Sequence, residues 1–161
     1  MCARRTKEVS MLQRITPNLW FDHNAKEAVD FYTSVFPNSK ILKTSYYPHE
    51  NLLDFQKEFA GKELTIEYEL NGNVFSAINA GPEFKHSEAV SFVIACDDQE
   101  EIDYYWNHLS TVPEAEQCGW CKDQYGISWQ IVPKDIDERL EGNPEAFKNM
   151  LEMGKIVIAD L

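Results

Sequence analysis

The sequence predicts an α+β fold made of two copies of one βαβββ unit, and three observations carry that expectation. A capped helix with a broad apolar stripe follows a strand twice. Alternating strands meet at glycine turns, at Asn71-Gly72 and at Asp123-Gln124-Tyr125-Gly126. The two sets also overlay in the same order. A shift of 74 places Asn24 on Asp98, Glu27 on Glu101, Tyr32 on Trp106 and Val35 on Leu109, and a shift of 63 places Leu64-Thr65-Ile66-Glu67 on Ile127-Ser128-Trp129-Gln130. Cap and stripe repeating together indicate an internal duplication.

Taken in order, residues 1–14 show no periodicity and read as a flexible leader, with Met11 as an alternative start. Residues 15–161 read as one domain: a first module over 15–82, a second over 88–133 and an extension over 134–161. Ile15 to Asp22 reads as the first strand. The helix Ala25 to Phe36 takes Asn24 as N-cap, with Glu27 completing a capping box, and Pro37 ends it. Ser39 to Tyr47, rich in β-branched and aromatic residues, is the second strand. Pro48 to Gly61 is a loop with one helical turn over 53–59 and the length of a lid. Lys62 to Leu70 alternates apolar with polar, and Asn71-Gly72 turns it into Asn73 to Ala80 through a type I′ hairpin.

In the second module Ala89 to Cys96 is a strand, and Asp98 with Glu101 caps a helix carrying Ile102, Tyr105, Trp106 and Leu109 on one face. Gly126 supplies the positive φ of the next turn, and Ile127 to Val132 returns with Ser128 and Gln130 on the face away from the core. In the extension, Asp135 to Leu140 is a short helix. Asn143-Pro144 opens another helix that Gly154 closes, and Lys155 to Ala159 is expected as a last strand.

Composition excludes several function classes. A net charge of -12 and a pI near 4.7 leave no basic surface for a phosphate backbone, so nucleic acid is not an expected partner. No apolar run approaches the roughly 20 residues that span a bilayer, and no secretory signal is present, so the expectation is a cytoplasmic protein with no membrane partner. Cysteines at 2, 96, 118 and 121 are too few for a disulfide framework. Cys118-Gly119-Trp120-Cys121 has redox spacing but falls beside a strand, not at a helix start, and reads as two structural cysteines. No further Cys or His follows at zinc-finger spacing.

The motifs LWFD before the first helix, DFY within it, NAGPEFKHSEAVSF in the middle and CGWCKDQYGISWQIVP near the end resemble the PhnB-like branch of the glyoxalase/vicinal oxygen chelate superfamily, also labelled 3-demethylubiquinone-9 3-methyltransferase-like. The resemblance covers 15–161. It implies two modules whose curved sheets form an open barrel around a cleft, a homodimer, and a small organic ligand. No Gly-rich loop of the kind used for S-adenosylmethionine follows a first parallel strand, so the resemblance is not carried as far as methyl transfer.

Metal-dependent relatives hold their ion from the first and third strands of each module, which by the resemblance are Pro17, Glu67, Ser91 and Gln130 here. Proline has no donor, and serine and glutamine are weak neutral ligands, so no metal and no cofactor is expected. The expected cleft is lined by Glu67, Ser91, Ser128 and Gln130, with Asn79, His86, Trp120 and Trp129 as neighbours and Glu67 as the candidate general base. Each tryptophan can instead fill the core, and Glu67 can instead be solvated beside Glu69. Three functions follow: a metal-free dimeric small-molecule-binding protein; a lyase, isomerase or dioxygenase using Glu67 with or without an ion; or, as the resemblance implies, a resistance-type protein that sequesters a drug between subunits.

Overall fold

In the computed structural model, which describes residues 15–161, two compact units share the chain unequally. Residues 15–19 and 24–79 belong to the first, and 20–23 and 80–161 to the second. The leader lies outside the described residues.

The elements of the first half follow the expected order. Strand β1 (Asn18–Asp22) leads into helix α1 (Ala25–Val35), followed by β2 (Lys40–Tyr46), a 3-10 turn over Asp54–Phe59, β3 (Glu63–Leu70) and β4 (Asn73–Ala80). The sheet order is β1-β4-β3-β2. Ala28, Val29 and Tyr32 of α1 are fully buried, as are Ile66 and Tyr68 of β3, so the apolar stripe and the apolar strand face make one core. The opposite strand face carries Glu67, which sits between Lys43 on β2 and Ser76 on β4. Asn71 and Gly72 take φ values of 45° and 82°, the positive pair that a type I′ turn requires.

One expected local contact is replaced by a distant one. The Asn24 side chain makes no cap hydrogen bond. Instead Asn79, buried on β4, accepts from the Ala25 backbone N–H at 3.3 Å and donates to the Glu63 carbonyl at 3.1 Å. A helix needs its first N–H groups satisfied, and a fixed side chain on the sheet does this while also tying helix to strands.

The second unit comprises β5 (Ser91–Cys96), α2 (Gln99–Leu109), β6 (Trp120–Lys122), β7 (Ser128–Pro133), α3 (Ile136–Leu140) and α4 (Pro144–Glu152). Here the cap is local: Asp98 accepts from the Glu101 N–H at 2.9 Å. Asn143 caps α4 in the same way at 3.1 Å, with Pro144 at the first helical position.

The sheet order β5-β7-β6 corrects two expectations. The second unit is one strand short, βαββ, because between α2 and β6 the chain forms only a 3-10 turn at Pro113–Ala115 and a lone bridge from Gln117 to Trp120. And β7 occupies the sheet position that β4, not β3, holds in the first unit, so the 63-residue overlay matched two strands of equal pattern but different place.

The last expected strand is also absent. Residues 153–157 run extended but pair with no strand; the chain then turns at Ile158–Asp160. Met153 and Gly154 carbonyls accept from the Cys118 and Gly119 N–H groups at 2.7 and 2.8 Å. The Gln99 amide on α2 donates to the Ile156 carbonyl at 3.0 Å and accepts from the Ile158 N–H at 2.8 Å, which supplies from one side chain what a neighbouring strand would have supplied. Ile156 is fully buried beneath this strap. Lys155 adds an ion pair to Asp103 at 2.5 Å, which holds the Asp103 carboxyl below its ordinary value, with help from Gln99. No helix among the described residues is long and apolar enough to cross a membrane.

Candidate functional site

The three-stranded sheet of the second unit has two faces of opposite character. Phe92, Ile94 and Cys96 on β5 register with Trp129, Ile131 and Pro133 on β7, and this apolar face forms the core with α2. The other face is polar and built in rows. Lys122 on β6 lies opposite Ser128 on β7, which registers with Ser91 on β5; in the next row Trp120 lies opposite Gln130, which registers with Val93. Directly paired side chains stand about 5 Å apart, so each row is one continuous surface.

Hydrogen bonding on this face is incomplete. Gln130 Nε2 donates to Ser91 Oγ at 2.8 Å. Lys122 Nζ bonds the Glu88 carboxylate, and that bond holds the Glu88 carboxyl below its ordinary value. Ser128 Oγ, only 2% exposed as a residue, finds no hydrogen-bond partner among the described residues. A buried hydroxyl without a partner costs free energy, which a ligand atom would return. Val93, at 61% exposed, leaves the β5 side of the face open.

The face is aimed by the turn that precedes it. Gly126 takes a φ of 84°. Asp123, almost fully buried, accepts from the Tyr125 and Ile127 N–H groups at 2.8 and 3.0 Å and from the Trp129 indole N–H at 2.8 Å. One carboxylate thus fixes both turn and strand, and because Trp129 points to the core face, Ser128 and Gln130 must point to the other.

Of the expected set, Ser91, Ser128, Gln130 and Trp120 share one face of the second unit's sheet. Trp129 takes the core alternative of its two readings, packed on Phe92 at a ring distance of 5.5 Å. Asn79 is corrected to the cap of α1, its amide used on both sides. His86 Nε2 meets the Trp20 carbonyl at 2.7 Å, so that nitrogen carries the proton. Its ring lies 5.8 Å from Phe21, which meets Tyr125 edge-on at 6.3 Å, so the PEFKH and LWFD motifs pack as one cluster beside the turn. Glu67 is an exposed residue of the first unit and is not enclosed in a dry cleft. Lys122 and Glu88 were missed by sequence reasoning. Parity on the short strand after CGWC gives Lys122 the same face as Ser128, but nothing local links it to a loop residue 34 positions earlier.

The residues do not fit a metal of the superfamily kind. Pro17 offers no side-chain donor, and its carbonyl accepts from Ser76 on β4 at 2.8 Å, so the strand beside β1 is β4 and Glu67 lies one strand further on. Ser91 and Gln130 satisfy each other. Among the described residues no three His, Cys, Asp or Glu side chains gather as a ligand set.

The CGWC segment is structural. Cys96, Cys118 and Cys121 are free thiols, and burial, reinforced by nearby carboxylates, pushes the Cys96 and Cys121 thiols up to about 12, where a reactive thiolate is scarce. Gly119 has a φ of 85°, and a Cβ there would lie 3.0 Å from the Ile131 carbonyl oxygen and 3.1 Å from Ile156, so the glycine lets the strap close. A polar cavity of about 310 Å³ lies elsewhere, at the start of α4 between Asn143, Asn149 and Asp160, and touches none of the expected residues.

A family model described as 3-demethylubiquinone-9 3-methyltransferase matches residues 13–132. Among solved structures, the PhnB protein from Bacillus cereus is 31% identical, with a TM-score of 0.60 over 74% of this chain and 99% of that one. A protein from Pseudomonas aeruginosa is 16% identical, with a TM-score of 0.57 over 75% of this chain and 98% of that one. The fosfomycin resistance protein FosX from Listeria monocytogenes is 15% identical, with a TM-score of 0.53 over 81% and 98%. The last two likenesses concern the fold alone, which is the α+β glyoxalase/bleomycin-resistance type. No curated protein matches the chain.

Proposed function

Because the chain belongs to the 3-demethylubiquinone-9 3-methyltransferase family, in its PhnB-like branch, we propose that it is a metal-free, homodimeric protein that binds a small organic molecule on the polar sheet face of its second unit. The buried, unbonded Ser128 hydroxyl beside the Gln130–Ser91 pair is the observation that carries this reading. A face with a few fixed polar groups between an indole and an aliphatic side chain suits a partly apolar ligand.

Methyl transfer from S-adenosylmethionine is not the reading the residues support. The strand-to-helix turns are His23-Asn24 and Asp97-Asp98, with no glycine to let a cofactor approach the backbone. Nor does a general-base role for Glu67 gain support from its exposed place on β3.

Native mass spectrometry of the untreated protein tests the proposal. The expected result is a dimer without stoichiometric metal and with the site able to retain a small molecule. Stoichiometric zinc, nickel, manganese or iron, lost on Glu67→Gln, would overturn it in favour of a metal-dependent enzyme.

A further inference from the structure

Glu88 reaches the sheet face from the loop before β5 and places a carboxylate on Lys122. The two partners are unequally held: the Lys122 side chain is 22% exposed and Glu88 is 59% exposed. The lysine is therefore fixed in the face, while the glutamate visits it from solvent. Opposite Lys122 in the strand register stands Ser128, whose buried hydroxyl has no partner among the described residues, and beyond it Ser91, already occupied by Gln130.

We infer that the ligand is a small organic carboxylate, whose acid group takes the place of Glu88 on Lys122 and bonds the Ser128 hydroxyl, and whose apolar body lies along Trp120 and Val93. This rests on the small-molecule reading and gives it a substrate class. A carboxylate is the group the lysine already selects, and a ligand carboxylate offers a second oxygen that reaches the neighbouring hydroxyl. An ion pair with one partner this exposed contributes little, so exchange of Glu88 for the ligand is cheap. The net charge of -12 repels anions in general, so affinity must come from this local lysine. Glu88 thus acts as an internal competitor that sets a threshold on binding.

Isothermal titration of the full-length protein with benzoate, and with benzamide as its neutral isostere, tests this at low ionic strength. Expected is benzoate binding that tightens at least about fivefold in Glu88→Gln and weakens at least about tenfold in Lys122→Met, while benzamide binds more weakly than benzoate and responds to neither change. Ser128→Ala, which removes one buried atom without charge, should weaken benzoate about fivefold and serves if Lys122→Met fails to fold. Equal binding of benzoate and benzamide, or benzoate binding unchanged in Glu88→Gln, overturns the carboxylate inference alone. No binding of either probe, with no small molecule retained in the native mass spectrum, overturns the small-molecule reading as well.

Discussion

The two units turn the same kind of corner by different means. In the first, β3 passes to β4 through Asn71-Gly72, where a pair of positive φ values makes the turn and only exposed or half-buried side chains support it: Asn73 donates to the Leu70 and Asn71 carbonyls, and the Asn71 N–H donates to Ser39 Oγ. In the second, β6 passes to β7 around a buried carboxylate that collects two backbone N–H groups and an indole. The helix caps differ in the reverse sense: α1 is capped by Asn79 from across the sheet, whereas α2 is capped by its own Asp98. A buried polar side chain is thus spent across the sheet on the helix in the first unit and locally on the turn and the candidate binding strand in the second.

Replacing the anchor is the largest expected way to break this contrast. Asp123→Ala removes the acceptor of two buried donors and one half-buried donor, and a loss of at least about 3 kcal/mol by urea titration is expected. An Asn71→Ala change should cost about 1 kcal/mol, the strain of a positive φ without an Asn side chain. Equal costs would mean that the carboxylate is not an anchor. Gly119→Ala comes next, with about 2 kcal/mol expected from its φ and its contact with the Ile131 carbonyl. Faster amide exchange at Cys118 and Gly119 in that variant would show that the strap has been lifted.

The caps give smaller effects. Asn79→Ala should cost about 2 kcal/mol, since the Ala25 donor and the Glu63 carbonyl both lose a buried partner, against about 1 kcal/mol for Asp98→Ala. The smallest effect concerns pH. The folded state holds the Asp103 carboxyl below its ordinary value, so its contribution is fully present above the ordinary carboxylate range and is lost as pH falls through the lowered value. Removing Lys155 with Lys155→Met should flatten that acid limb of the stability profile. Alkylation adds a chemical check: Cys96 and Cys121, with thiols near 12, should react far more slowly in the native protein than after unfolding.

Most of the fold was legible because local signals and tertiary packing agree there. The stripe of α1, the Asn71-Gly72 turn, the Asp98 cap and the Asn143-Pro144 helix start all stand where spacing places them. Two of the failures share a cause. The Asn24 cap and the last strand rest on local pattern, and each is decided by a distant group, Asn79 and Gln99; the fourth strand of the second unit rests on the duplication, and there the chain makes only a 3-10 turn and a lone bridge. The candidate site divides in the same way. Strand parity foresaw Ser128 and Gln130 sharing a face, but it gave Trp129 two readings, and only its bond to Asp123 shows which side it takes. The pairing of Lys122 with Glu88 has no sequence signature at all.

Three of the four tryptophans, at 106, 120 and 129, fall in the second unit, while Trp20 stands on β1, a strand of the four-stranded sheet. Intrinsic indole emission is therefore weighted toward the second unit, whereas far-ultraviolet circular dichroism samples both evenly. Recorded on one denaturation series, a gap between the two midpoints would show the duplicated pieces melting at different points.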